Sequence, residues 1–273
     1  VNSGMPIRRS RYILDVSQGV EVRVREENLS GPTAERVEDG RRIREWSYAG
    51  LDRVEGELFA ADSNGVARRI TTFGWLDWED IARWYAGLAG ERLAPSPEVE
   101  AKLAEMAADG ASPLETLEAA HKWVSQEIRY ISLSLGMGGY QPRTHAEVLE
   151  SLSGDCKDKA TLFVAMARAL GFEAYPVLIG TGAELLPDYP SLFQFNHMVA
   201  AVRLENDWHV LDLTVPVVPF DELYGGIQGR TGLLVRDDGS FEMLSLPESP
   251  PQENRSSIEI EGAIEAEGSF TGS

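Results

Sequence analysis

An α+β fold, with a papain-like helix-and-sheet core behind an antiparallel β-rich segment, is what the order of patterns along the 273 residues predicts. Three observations carry it. Apolar and polar residues alternate from Arg11 to Thr72, apolar residues recur at helical spacing between Trp78 and Leu170, and alternation returns in three segments after Gly171. Helices followed by strands within one unit are the mark of the α+β class.

The elements follow in order. RYILDVSQGVEVRVREE, RRIREWSYAG and VARRITTF read as antiparallel strands, with turn signals at EDG (38–40) and SNG (63–65). In DWEDIARWYAGL, Trp78, Ile81, Tyr85 and Leu88 fall on one helical stripe behind an Asp77 cap, and the proline-containing LAPSPE reads as a hinge. Trp75, Trp78 and Trp84 form an aromatic cluster expected to pack where the β-rich part meets the core. Ser112, Pro113 and Glu115 make a capping box ahead of Leu114, Leu117, His121, Val124 and Ile128. GMGGYQPR leads to a short helix at THAEVLESL, and the next helix starts at Cys156 and stops at Gly171. FEAYPVLIG, FNHMVAAVRL and DWHVLDLT are strands, the last two joined by a two-residue turn at Glu205 and Asn206. These patterns divide the chain into a β-rich accessory domain at 1–95, a core at 96–245, and the start of a further β domain or tail at 246–273.

Composition narrows the function. Hydrophobic residues make up 43% and charged residues 25%, as in a soluble globular protein. Forty-four acidic residues against 25 basic ones give a net charge of -19, which opposes binding to nucleic acid or to an anionic membrane. No stretch approaches the roughly 20 apolar residues of a membrane span, and residues 1–25 lack a signal-peptide block. The chain has no initiating Met and ends in the alternating run SSIEIEGAIEAEGSFTGS, so we read it as a piece of a longer protein. It contains no HExxH and no phosphate-binding glycine motif, and no cofactor or metal is expected.

Cys156 is the only cysteine, so it can form no internal disulfide and no cysteine-rich zinc site. It is either an inert core residue or a nucleophile. Ser153, Gly154 and Asp155 put it in the first turn of a helix, where unpaired N–H groups and the dipole favour a thiolate. Lys157 and Lys159, two of only four lysines, flank it around the helix. Of four histidines, His121 lies on an apolar stripe and reads as core, His145 beside its Thr144 cap reads as solvated, and His209 reads as packing. A two-residue turn sets His197 opposite Thr214 and diagonal to Asp212, on one face of the hairpin.

GDCKDKATLFVAMARALGFEAYPVLIG, FNHMVAAV and WHVLDLT together resemble the three blocks of the transglutaminase-like superfamily, over about residues 110 to 215. The order with TTFGWLDWEDIARWY ahead of it is similar to bacterial members in which a β-rich domain precedes the core. The resemblance implies a papain-like fold with Cys156 as nucleophile, His197 as base and Asp212 as orienting acid. Gln141 is a candidate oxyanion donor beside the Cys156 N–H. It implies thioester formation from a peptide or protein amide followed by transfer to an amine. The alternatives are hydrolysis by a peptidase or amidase, and a noncatalytic binding module that keeps the fold. It also implies a periplasmic or cell-envelope setting.

Overall fold

The computed structural model describes residues 5–53, 68–74, 77–132, 135–182, 184–220, 222–250, 252, 258–264 and 266–272. The expected SNG turn and Trp75 lie outside these. The β-rich part contains β1 (Ile7–Ser17), β2 (Arg23–Glu27), β3 (Ala34–Glu38), β4 (Arg41–Leu51) and β5 (Arg69–Phe73). Strands β1, β4 and β3 form an antiparallel sheet in that order, and β2 pairs with β5 in a separate ribbon. Glu38 pairs with Arg41 across the EDG turn. Asp39 (φ 49°) and Gly40 (φ 73°) both adopt the left-handed conformation, as a tight two-residue hairpin requires.

Among the described residues five α-helices follow: α1 (Trp78–Leu93), α2 (Pro97–Met106), α3 (Pro113–Glu127), α4 (His145–Ser151) and α5 (Cys156–Ala169). The N–H of Asp80 donates to the Asp77 cap at 2.7 Å. Within LAPSPE, which the sequence reads as a hinge, Ser96 caps α2 with Pro97 at its first position, so the end of the segment is already helical. At α3 the capping box of Ser112 and Glu115 is formed as expected. Two short strands, β6 (Arg129–Tyr130) and β7 (Ser153–Gly154), pair in parallel.

The core sheet comprises β8 (Ala174–Ile179), β9 (His197–Leu204), β10 (Asp207–Leu211), β11 (Thr231–Val235) and β12 (Phe241–Ser245), followed by the hairpin β13 (Gly262–Ile264) and β14 (Phe270–Gly272). The sheet order is β10-β9-β8-β11-β12, antiparallel throughout. Leu162, Phe163 and Met166 of α5 pack with Met198, Ala200 and Val202 of β9 in one apolar layer, which α1 joins through Ile81 and Tyr85. The alternate residues Val199 and Ala201 face a second layer with Val177, Val210 and Leu234. Burial on both faces explains why HMVAAVRL is nearly continuously apolar. Each fully buried Leu, Phe or Met contributes roughly 1.5–3 kcal/mol. No helix among the described residues is long and apolar enough to cross a membrane.

Candidate active site

The first turn of α5 is held by a closed set of polar contacts. The Asp155 carboxylate accepts the N–H groups of Lys157 (3.2 Å) and Asp158 (3.3 Å), and Asp158 returns a bond to the Asp155 N–H at 3.2 Å. Arg143 then clamps Asp158, through its own backbone N–H at 2.8 Å and its Nε at 3.0 Å, and donates from Nη2 to the Ser153 carbonyl. Asp158 is almost fully buried, so these donors replace the water it gives up. The result presents Cys156 at the helix start as a partly buried free thiol.

Strand β9 brings His197 to the sulfur, and the β9–β10 hairpin brings Asp212 to His197. The register is that of a two-residue turn, with Asp207 opposite Leu204 and Leu211 opposite Ala200. Pairing ends there, because Thr214 turns its N–H (2.9 Å) and hydroxyl (2.7 Å) onto Asp212 Oδ1. His197 Nε2 donates to Asp212 Oδ2 at 3.0 Å, with side-chain exposures of 12% and 3%. That leaves Nδ1 for Cys156, with which the imidazole also hydrogen-bonds. Burial alone would lower the His197 pKa, but its bonds to Asp212 and Cys156 outweigh this and carry it up to about 9. Burial opposes ionisation of Asp212, and the bonds from His197 and Thr214 prevail, holding its carboxyl below the usual range.

A cleft of about 450 Å3 opens beside Cys156 and His197. Its walls include Trp84, Tyr140, Leu178, Leu192, Phe195 and Met198, so it is mainly apolar and aromatic. Trp84 meets Tyr140 edge-on, with ring centres 5.6 Å apart. The loop before β9 supplies Leu192, Phe195 and Asn196, as a groove-lining loop would.

Several residues sit where the sequence did not put them. His145 is buried, not solvated: Nε2 donates to the Arg92 carbonyl at 2.8 Å and Nδ1 pairs with Ser96 Oγ at 3.2 Å. The last turn of α1 and the Ser96 cap of α2 cover it, a contact no local pattern announces. The two lysines do not offer free charge to the thiol. Lys157 is buried and pairs with Asp155, whereas Lys159 is buried and donates to the Ser125 (3.2 Å) and Ile128 (2.9 Å) carbonyls at the end of α3. Burial draws the Lys159 pKa down to about 8, against the pull of Asp212. His121 is core as expected, edge-on to Phe163 and Phe220, and burial pushes its pKa down to about 4. Gln141 is half-buried with its N–H bonded to the Met137 carbonyl at 2.8 Å, and the adjacent cleft wall is formed by its neighbour Tyr140. Sequence reasoning missed Arg143 and Tyr130. The Tyr130 hydroxyl is in hydrogen-bond contact with the Cys156 side chain. Only the pairing of β6 with β7 makes that contact, and two-residue strands have no periodicity to read. Among the described residues, no group of three or more His, Cys, Asp or Glu side chains is placed to hold a metal ion.

Residues 100–213 match the model of the transglutaminase-like superfamily. Among solved structures, a "putative protease" from Parabacteroides distasonis is similar over 92% of this chain, with a TM-score of 0.68 and 15% identity, and the chain spans 47% of that protein, about half its length. A "putative cysteine protease" from Cytophaga hutchinsonii (TM-score 0.35, 16% identity, 78% of this chain and 67% of that one) is also similar. So is a TGase (TM-score 0.31, 15% identity, 68% of this chain and 44% of that one). No curated protein matches the sequence.

Proposed function

We propose, from the premise that residues 100–213 are a transglutaminase-like domain, that the protein is a cysteine acyltransferase acting on a peptide or protein amide. Its nucleophile is Cys156, with His197 as acid and base and Asp212 as the group that orients His197. The observation that carries this reading is the chain of contacts from a helix-start thiol to an imidazole to a carboxylate, the last at 3.0 Å. A cysteine sulfur beside an imidazolium, with a buried carboxylate behind it, has the parts of nucleophilic acyl transfer.

Cys156 Sγ adds to the amide carbon and the carbonyl electron pair moves to oxygen. Collapse of that intermediate breaks the C–N bond while His197 gives its proton to the departing amine. The resulting thioester is attacked by a second amine, whose proton returns to His197, and the C–S bond breaks to release Cys156 Sγ as the leaving group. The apolar cleft walls fit the side chain of an acyl donor, and Trp84 and Tyr140 offer aromatic faces to it. The β-rich part to residue 95, the core at 96–245 and the tail beyond belong to the same proposal as separate units. So does an envelope or periplasmic setting.

The choice between transfer and hydrolysis is tested by incubating the protein with a peptide library and a dansylated alkylamine. Transfer predicts amine-labelled peptides that are lost in Cys156→Ala. Free acids alone, with no labelled product at saturating amine, replace the transferase reading with a hydrolase.

A further inference from the structure

We propose that the Tyr130 hydroxyl is a catalytic donor that hydrogen-bonds the carbonyl oxygen as it becomes an oxyanion, alongside the N–H of Cys156. The inference rests on Cys156 being the nucleophile, and its test separates failure of the two.

The backbone places Tyr130 at the reacting atom. Strand β6 runs parallel to β7 with Tyr130 opposite Gly154, two residues before the cysteine. Backbone bonds fix it on both sides, from the Arg129 N–H to the Leu152 carbonyl (2.9 Å) and from the Ile131 N–H to the Gly154 carbonyl (3.0 Å). Paired strands lie about 4.8 Å apart, which leaves a tyrosine ring long enough to pass Gly154 and reach Sγ. The hydroxyl meets the Cys156 side chain there, and the residue is 48% exposed.

Two donors are needed, and the helix start supplies one. The Asp155 carboxylate takes the N–H groups of Lys157 and Asp158 but not that of Cys156, which has no acceptor among the described residues. As Sγ bonds to the carbonyl carbon, negative charge leaves sulfur for the oxygen one atom further on. A phenol already bonded to the sulfur needs only a small rotation to follow that charge. Burial, with the charges of Cys156 and Asp155, pushes the Tyr130 pKa up to about 12, so the hydroxyl keeps its proton across the working range. Of the two tyrosines that line the cleft, Tyr85 is buried with its hydroxyl on Met198 Sδ at 3.3 Å, and the Tyr140 ring meets Trp84 edge-on.

Two thiol reagents separate the roles. Iodoacetamide is displaced at carbon without forming an oxyanion, whereas a leucine-rich tripeptide aldehyde adds Cys156 to its carbonyl and makes one. Protection by the aldehyde against alkylation is measured by intact mass on wild type, Tyr130→Phe, Gln141→Ala and Cys156→Ala. We expect Tyr130→Phe to weaken the aldehyde at least tenfold, to change the alkylation rate less than about threefold, and to melt like wild type. Equal losses for both reagents, no loss for either, a loss confined to Gln141→Ala, or rapid alkylation of wild type without aldehyde protection would each overturn the assignment of Tyr130. A wild-type thiol no more reactive than that of the unfolded chain would instead remove Cys156 as the nucleophile, and Tyr130 with it.

Discussion

At the scale of single residues, the charge on His197 organises the site. An imidazole with a pKa of about 9 is protonated at neutral pH, so it faces Cys156 as a cation and Asp212 as an ion-pair partner. Asp212→Asn keeps the shape but removes the charge. We expect the His197 pKa, followed by NMR of its ring protons, to fall well below about 9, and acyl transfer to drop on the order of 10^2–10^4-fold. An unchanged titration would mean that Asp212 does not hold the imidazolium. The position of Cys156 at a helix start and the meeting of His197 with Asp212 could be read from the sequence, because they depend on local rules, a cap signal and a turn length. His145, Lys157 and Lys159 could not, since whether a polar side chain is buried depends on which distant segment covers it. For Lys159 that segment is the end of α3, whose carbonyls it binds.

At the scale of elements, the turn from α4 through β7 into α5 decides where the thiol sits. Leu152 ends α4 in the left-handed conformation (φ 45°), and Gly154 passes close under Asp158. A Cβ added at Gly154 would lie 2.9 Å from Asp158 Cβ, which is itself fixed by Arg143 and the Asp155 N–H. Gly154→Ala should therefore cost about 1–3 kcal/mol in denaturant unfolding, as overpacking does. It should also reduce activity by displacing the first turn. Gly138→Ala, which meets nothing within 4 Å, is the control. Equal stability of the two variants would show that the turn yields freely. The long helices and β8, β9 and β10 were legible from period and caps. Strands β11 and β12 were not assigned from sequence, although DDGS marks their turn, and their place beside β8 follows from non-local pairing.

At the scale of the whole molecule, the β-rich part reaches the site through the loop before β9. Tyr189 in that loop stacks on Phe73 of β5 at 5.0 Å and lies under Arg25 of β2 at 4.8 Å. Trp78 of α1 donates from Nε1 to the Pro187 carbonyl at 2.7 Å, and its ring meets Phe195 in the cleft wall. The buried His121 and the partly buried His197 give the molecule opposite responses to pH. His121, lowered to about 4 by burial, stabilises the fold fully above the ordinary imidazole value of about 6.5, and this is lost as pH falls through about 4. His197, raised to about 9, stabilises it fully below about 6.5 and loses this as pH rises through about 9. Between pH 6.5 and 8, below the titration of Lys159 near 8, the melting temperature should fall in wild type and stay flatter in His197→Gln. A wild-type midpoint that climbs over that interval contradicts the raised pKa. The central claim, that Cys156 carries the acyl group, is tested most directly by acid-quenching the protein during turnover of a peptide library and weighing it intact. The account predicts a mass increase equal to one acyl group, mapped by digestion to Cys156 and absent from Cys156→Ala. Turnover with an adduct on another residue, or turnover retained in Cys156→Ala, would contradict it.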